Sequence, residues 1–244
     1  MTFFLVLAFL FAAGSSVGWV IEVFWCRFAP DAASAHCWIN PGFLVGPYLP
    51  VYGFALCLLF SLALIEMSAE RLSLFKSSWA QKAVLFTFMA LSITALEYAA
   101  GRIFIKGMHI KLWDYSGKWG NVQGIICPEY TGYWWLLSAV YYFFVHPKIL
   151  SWLYWFTNHL AFCFVIGFFF GILTVDLCYT FKVTAKITAF AEEQQIVVRY
   201  ERLKEAVQKK NAELNEKMHF FFPFKSEKRG LTETLRDVFG KHED

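Results

Sequence analysis

Charge is scarce in this sequence. Asp, Glu, Lys and Arg make up 17% of its 244 residues, against about a quarter in an ordinary soluble domain. That shortage argues against a water-soluble globule. Close cysteine pairs are absent too. The six cysteines, Cys26, Cys37, Cys57, Cys127, Cys163 and Cys178, include no C-x-x-C, so no metal site or redox motif is expected from them. Cys57 and Cys163 lie inside apolar runs and suit small core hydrophobes. Cys26 and Cys37 flank a segment placed below in the cytoplasm, where a stable disulfide is not expected. No basic residue precedes the first apolar run, and that run continues through Val17–Trp25. The stretch Ala12-Ala13-Gly14-Ser15 looks like a cleavage site, yet the run is longer than a signal core needs. There is no G-x-x-x-x-G-K-[ST] phosphate loop, which excludes ATP hydrolysis by that route. A net charge of +3 is too weak a basic balance for nucleic-acid binding.

Apolar and aromatic residues are plentiful. Hydrophobic residues reach 58% and aromatics 20%, with 28 Phe and 10 Trp. Long apolar runs with Trp and Tyr at their ends suit a bilayer, whose interface favours amphipathic rings. Five such runs stand out, at 2–25, 43–65, 83–105, 124–145 and 152–181. Each can cross a hydrocarbon core of about 30 Å at about 1.5 Å per residue. The fold class expected is therefore all-α: a polytopic transmembrane bundle of about five spans over 1–181. A helical cytoplasmic tail follows over 182–244. That tail holds 13 of the 22 Lys/Arg and 11 of the 19 Asp/Glu.

Orientation follows from where Lys and Arg lie. With five spans, the first and third loops share a side with the tail. That side carries 18 positive residues, against 4 on the other. The expected topology is a multi-pass protein of the cell membrane, N-terminus outside and C-terminus cytoplasmic.

Several polar residues break the apolar pattern. Glu22 lies near the end of the first span and Glu97 past the middle of the third. An intramembrane carboxylate is expensive and is a functional candidate by default. Glu22 has the simpler alternative of reaching interfacial water, and Glu97 that of a structural pairing with Arg102. Gly18, Ala99, Ala100 and Gly101 would let helices approach closely nearby.

The segment Asn40–Gly53 places three prolines, Pro41, Pro47 and Pro50, and three glycines, Gly42, Gly46 and Gly53, in a mostly apolar stretch. Proline excludes a regular helix there. Irregular backbone at membrane depth is tolerated where protein buries it or where it lines a cavity. A re-entrant or broken start to the second span is expected, against the plainer reading of a helix N-terminal turn. The third loop, Trp113–Pro128, is rich in aromatic and hydrogen-bonding groups. It is either an interface-anchored turn or one wall of a polar cavity. The candidate cavity residues are Glu22, Asn40, Tyr48, Glu97, Asp114 and Asn121.

These motifs resemble the bacterial family named putative ABC-transporter type IV permeases. The likeness rests on Gly18-Trp19-x-x-Glu22, the long run Asn40-Pro41-Gly42-Phe43-Leu44-x-Gly46-Pro47-Tyr48-x-Pro50-x-Tyr52-Gly53, and Glu97-Tyr98-x-x-Gly101. It extends to Trp113-Asp114-Tyr115-Ser116 and Asn121-x-x-Gly124-x-Ile126-Cys127. One departure is Pro128-Glu129 after Cys127, where a more apolar continuation is expected. The resemblance implies a permease subunit that moves a small molecule or lipid, and it brings no substrate or residue role with it. Such a subunit needs a separate ATPase, and a homo-oligomer is the other assembly considered. No metal or cofactor is expected. Two rivals stand beside it: a membrane enzyme using Glu22, Glu97 and Asp114 as acid, base or metal ligands, and a scaffold recruiting partners through its tail.

In the tail, Ile196, Tyr200, Leu203, Val207, Lys210, Leu214 and Met218 follow helical spacing with one polar exception, which makes an apolar stripe. Because no Pro or Gly interrupts 182–218, one long amphipathic helix is expected. Phe220, Phe221, Phe222 and Phe224 surround Pro223 and are followed by Lys225, Lys228 and Arg229. Such an apolar patch marks an interaction site. It is expected to return to the bilayer interface or to dock on the bundle, the alternative being a plug for a partner protein.

Overall fold

The computed structural model describes residues 2–28, 38, 40–69, 78–156, 161–213 and 231–239. It is an all-α structure. The helices are α1 (Thr2–Phe28), α2 (Pro50–Ala69), α3 (Ser78–Met108), α4 (Pro128–Val140), α5 (His146–Phe156), α6 (Ala161–Glu193), α7 (Tyr200–Glu213) and α8 (Leu231–Phe239). A π-helical turn, Tyr141–Val145, joins α4 to α5. Two-residue strands, β1 (Ile110–Lys111) and β2 (Val198–Arg199), form one parallel pair. The Phe220–Phe224 cluster lies outside the described residues.

Among the described residues, three helices are long and apolar enough to cross a membrane: Phe3–Phe28, Trp79–Met108 and Phe162–Glu193. They correspond to the first, third and fifth expected spans. Pro50–Ile65 is apolar but shorter. On α6, Phe164, Phe168, Ile172 and Val175 are all exposed. Their spacing of four, four and three puts them on one face, and a face of that composition suits hydrocarbon.

The chain divides into two compact units. The first comprises Met1–Ser15, Pro50–Ala99 and Tyr115–Phe170. Its core gathers Leu10, Leu59, Phe60, Phe86, Met89, Ile93, Tyr141 and Ile149. Small residues let α1 and α2 meet closely there. A methyl group added at Gly53 would run into Ser15 Oγ and lie 2.6 Å from the Phe11 carbonyl oxygen. One added at Gly14 would lie 3.0 Å from the Tyr52 carbonyl oxygen. Such close backbone approach is how apolar helices gain packing without a hydrophobic driving force.

The fourth run differs from expectation. It was expected to end before His146-Pro147, but the helical path continues through the π turn into α5. Proline lacks an N–H and its ring crowds the carbonyl four residues back. The wider π turn absorbs this: the His146 N–H bonds the Tyr141 carbonyl, five residues back. The ring of His146, itself buried, meets the Tyr141 hydroxyl at 2.9 Å through Nδ1.

The second unit comprises Ser16–Leu49, Ala100–Asp114 and Gly171–Asp244. Helix α3 ends where His109 turns left-handed, at φ 54°, and Thr188 Oγ1 donates to the Met108 carbonyl at 2.9 Å. The Val198 N–H then donates to the His109 carbonyl at 2.9 Å, which starts the β1–β2 pair. Of the stretch 182–218, expected to be mostly helical as one long helix, residues 182–213 are described; they are helical except over 194–199, where the helix breaks in two. Helix α6 stops at Glu193, Gln195 takes φ 51°, and the Ile196 N–H reaches back to the Ala191 carbonyl at 3.0 Å. This is a Schellman-type ending with glutamine in place of the usual glycine. Helix α7 then starts anew, with Tyr200, Leu203 and Val207 buried.

The close crossing in the first unit predicts a contrast between two glycines. Gly53→Val should lower stability in detergent by about 1–3 kcal/mol through overpacking. Gly132→Ala, where an added methyl meets nothing within 4 Å, should leave the thermal midpoint unchanged or raise it slightly. Equal responses would contradict the crossing.

Candidate functional site

Residues 40–49 form no helix, and α2 begins only at Pro50. The second run, 43–65, thus opens with the irregular backbone expected of its proline- and glycine-rich start, and regular helix takes over only at Pro50. Pro41, Pro47 and Gly42, the last at φ 81°, account for the delay. Even so, this segment is largely buried: Asn40, Phe43, Leu44, Tyr48 and Leu49 are all inaccessible. A buried segment without a helical ladder must satisfy its peptide groups elsewhere.

Asp176 of α6 meets that requirement on the donor side. Its carboxylate accepts the N–H of Val45 at 3.1 Å, the N–H of Gly46 at 2.7 Å and the hydroxyl of Tyr48 at 2.6 Å. Thr180, one helical turn on, donates its hydroxyl to the same carboxylate at 2.9 Å. Charge-assisted hydrogen bonds of this kind are roughly twice as strong as neutral ones. Asp176 is not among the candidates picked from the sequence, yet it organises this segment. Its signal was present: an aspartate inside a long apolar run, the same rule that selected Glu97.

The acceptors find partners as well. Asn40 takes the Trp19 indole N–H at 2.6 Å on its side-chain oxygen and gives its amide to the Val45 carbonyl at 2.6 Å. Buried Lys204 of α7 donates to the carbonyls of Asn40 at 2.9 Å and Gly42 at 2.5 Å. Its ammonium also lies 4.9 Å from the centre of the Tyr200 ring. The Tyr200 hydroxyl donates to the Phe43 carbonyl at 3.3 Å. Burial pushes that phenol's pKa up, so it remains a donor. Gln208 donates to the Trp38 carbonyl at 3.2 Å. Tyr200, Lys204 and Gln208 are four residues apart and share one face of α7.

Glu97 is buried in the first unit. Its carboxylate accepts the Tyr115 hydroxyl at 3.0 Å and the Trp134 indole N–H at 3.2 Å. Tyr115 stacks on Tyr130 with ring centres 4.3 Å apart, and Trp134 meets Tyr52 edge-on at 6.0 Å. The loop that carries Tyr115 is held by Asn121. That side chain donates to the Ser116 and Lys118 carbonyls and accepts the Gly124 N–H at 3.0 Å. Gly120, Gln123 and Gly124 adopt positive φ there. Asn121 thus shapes a turn around a carboxylate site lined by aromatic donors.

The remaining candidates belong to the second unit. Glu22 is half-buried on α1. Asp114 pairs with Lys111 at 2.6 Å and with Arg199 of β2, beside the β1–β2 pair. Burial first, and then the Arg199 charge, push the Lys111 pKa down. Among the described residues, no group of three or more His, Cys, Asp or Glu could hold a metal ion.

Residues 9–181 match the family model described as Putative ABC-transporter type IV. No curated protein and no solved structure matches the chain.

The geometry around Asp176 predicts an asymmetry between two substitutions. Asp176→Leu orphans buried donors at about 1–3 kcal/mol each, so it should cost about 3 kcal/mol or more in denaturant unfolding. Asp176→Asn keeps one acceptor oxygen and should cost clearly less. Equal losses would count against the carboxylate as organiser of this segment.

Proposed function

Because the chain belongs to the Putative ABC-transporter type IV family, we propose that it is a multi-pass permease-type subunit of the cell membrane, working with a separate ATPase. The observation that carries this reading is the family match, which extends over the apolar helices themselves. Exposed apolar faces such as Phe164–Val175 on α6 favour a lipid surround. In this reading the chain crosses the bilayer about five times. Helix α2 supplies the second crossing, and the continuous run from α4 through the π turn to α5 supplies the fourth. The N-terminus is outside and the C-terminus cytoplasmic, as the Lys/Arg distribution favours.

Glu97 is the group we assign to solute contact, with Tyr115 and Trp134 holding it. A membrane-buried carboxylate with aromatic neighbours suits a polar or cationic headgroup better than an apolar chain.

Two experiments test this reading. Affinity purification from native membranes in mild detergent should recover a protein bearing a G-x-x-x-x-G-K-[ST] loop, and its ATPase activity should change when this chain is removed. Recovery of the chain with only copies of itself would contradict the permease assignment. A reporter active only in the cytoplasm should work at residue 244 and near Lys118 and be silent near Lys76. The opposite pattern would reverse the topology.

A further inference from the structure

The ten-residue segment from Asn40 to Leu49 is held by two buried side chains of opposite charge, Asp176 and Lys204. Asp176 takes peptide N–H groups at Val45 and Gly46. Lys204 takes peptide carbonyls at Asn40 and Gly42. The Asn40 side-chain amide donates to the Val45 carbonyl, whose peptide group also carries the Gly46 N–H that Asp176 accepts. The Asn40 carbonyl belongs to the peptide bond with Pro41, which has no N–H, so the two charges hold separate peptide groups of the segment. Loss of either leaves buried peptide groups without their partner, which is costly.

The two charges differ in how they are mounted. Asp176 sits well inside α6, a helix of 33 residues. Lys204 is on α7, a helix of 14 residues that follows a chain reversal at Gln195 and the two-residue strand β2. The donors of α7 form a row. Gln208 reaches Trp38, Lys204 reaches Asn40 and Gly42, and Tyr200 reaches Phe43. The row runs antiparallel to the loop, so a shift of α7 withdraws all three donors together.

We propose that α7 is a latch on Trp38 and residues 40–49: Asp176 holds the amides of this segment from α6, Tyr200, Lys204 and Gln208 hold its carbonyls from α7, and withdrawal of the α7 row releases it. The segment then has an engaged state and a released state, and the tail helix selects between them. This holds whether or not the chain transports a solute.

Hydrogen–deuterium exchange on the full chain in nanodiscs tests the latch. Lys204→Met should speed exchange of the amides over 42–49 by tenfold or more while leaving α2 and α4 as in the wild type. Gln208→Ala removes one neutral hydrogen bond, worth about 1 kcal/mol, and should speed the same amides by about fivefold. The exposed neighbour Lys209→Met should change nothing. The combined Asp176→Asn and Lys204→Met chain should exchange faster over 42–49 than either single variant, because the two side chains hold different peptide groups of the segment. Wild-type protection over 42–49 in Lys204→Met would overturn the proposal. So would acceleration spread equally over α2 and α4, or a combined chain no faster than the faster single variant.

Discussion

A peptide segment that leaves water without forming a helix or sheet has to place each of its N–H and C=O groups against a partner. Residues 40–49 are in that position, and most of the second unit is arranged around them. Asp176 reaches their amides from α6, Asn40 bonds back within the segment, and Trp19 fixes Asn40 from α1. Lys204, Tyr200 and Gln208 close the carbonyl side from α7. Residues separated by more than 120 positions in sequence thereby become one polar network, with the hydrophobic side chains of Phe43, Leu44 and Leu49 packed around it. Hydrogen bonding makes the segment possible, and the apolar packing excludes the water that would compete for those bonds.

The first unit applies the same logic on a smaller scale. Glu97 alone in a helix of this composition would be expensive. Tyr115 and Trp134 bring an O–H and an N–H whose rings belong among apolar neighbours, so the carboxylate is solvated without admitting bulk polarity. Asn121 and three positive-φ residues hold the turn that delivers Tyr115. Close helix crossing at Gly14 and Gly53 and the π turn before Pro147 are further local devices, each traceable to a named residue.

Much of this was legible in the sequence, for definite physical reasons. Apolar runs announced the long helices because lipid demands uninterrupted hydrophobic length. Prolines and glycines announced the irregular segment because they forbid a helix. Glu97 stood out against its apolar surroundings. Asp176 went unnoticed although the same contrast marked it, its run having been weighed only as a length of hydrocarbon-compatible chain. The tail was harder. Nothing local marks Gln195 as a left-handed stop, since glutamine is a good helix former and the reversal depends on tertiary contacts. Lys204 and Arg199 look like solvated tail charges until the fold brings them to Asn40 and Asp114, which lie far away in sequence.

The account turns on whether the Asp176 carboxylate bonds the Val45 and Gly46 amides. Selective ¹⁵N labelling of valine and glycine in the full chain in lipid, with solid-state NMR of the amide protons, reads those bonds directly. A carboxylate is a stronger acceptor than a carboxamide. Both proton resonances should therefore lie downfield in the wild type and move upfield in Asp176→Asn, with the Gly132 resonance unmoved. Val45 and Gly46 resonances indifferent to Asp176→Asn would contradict the account.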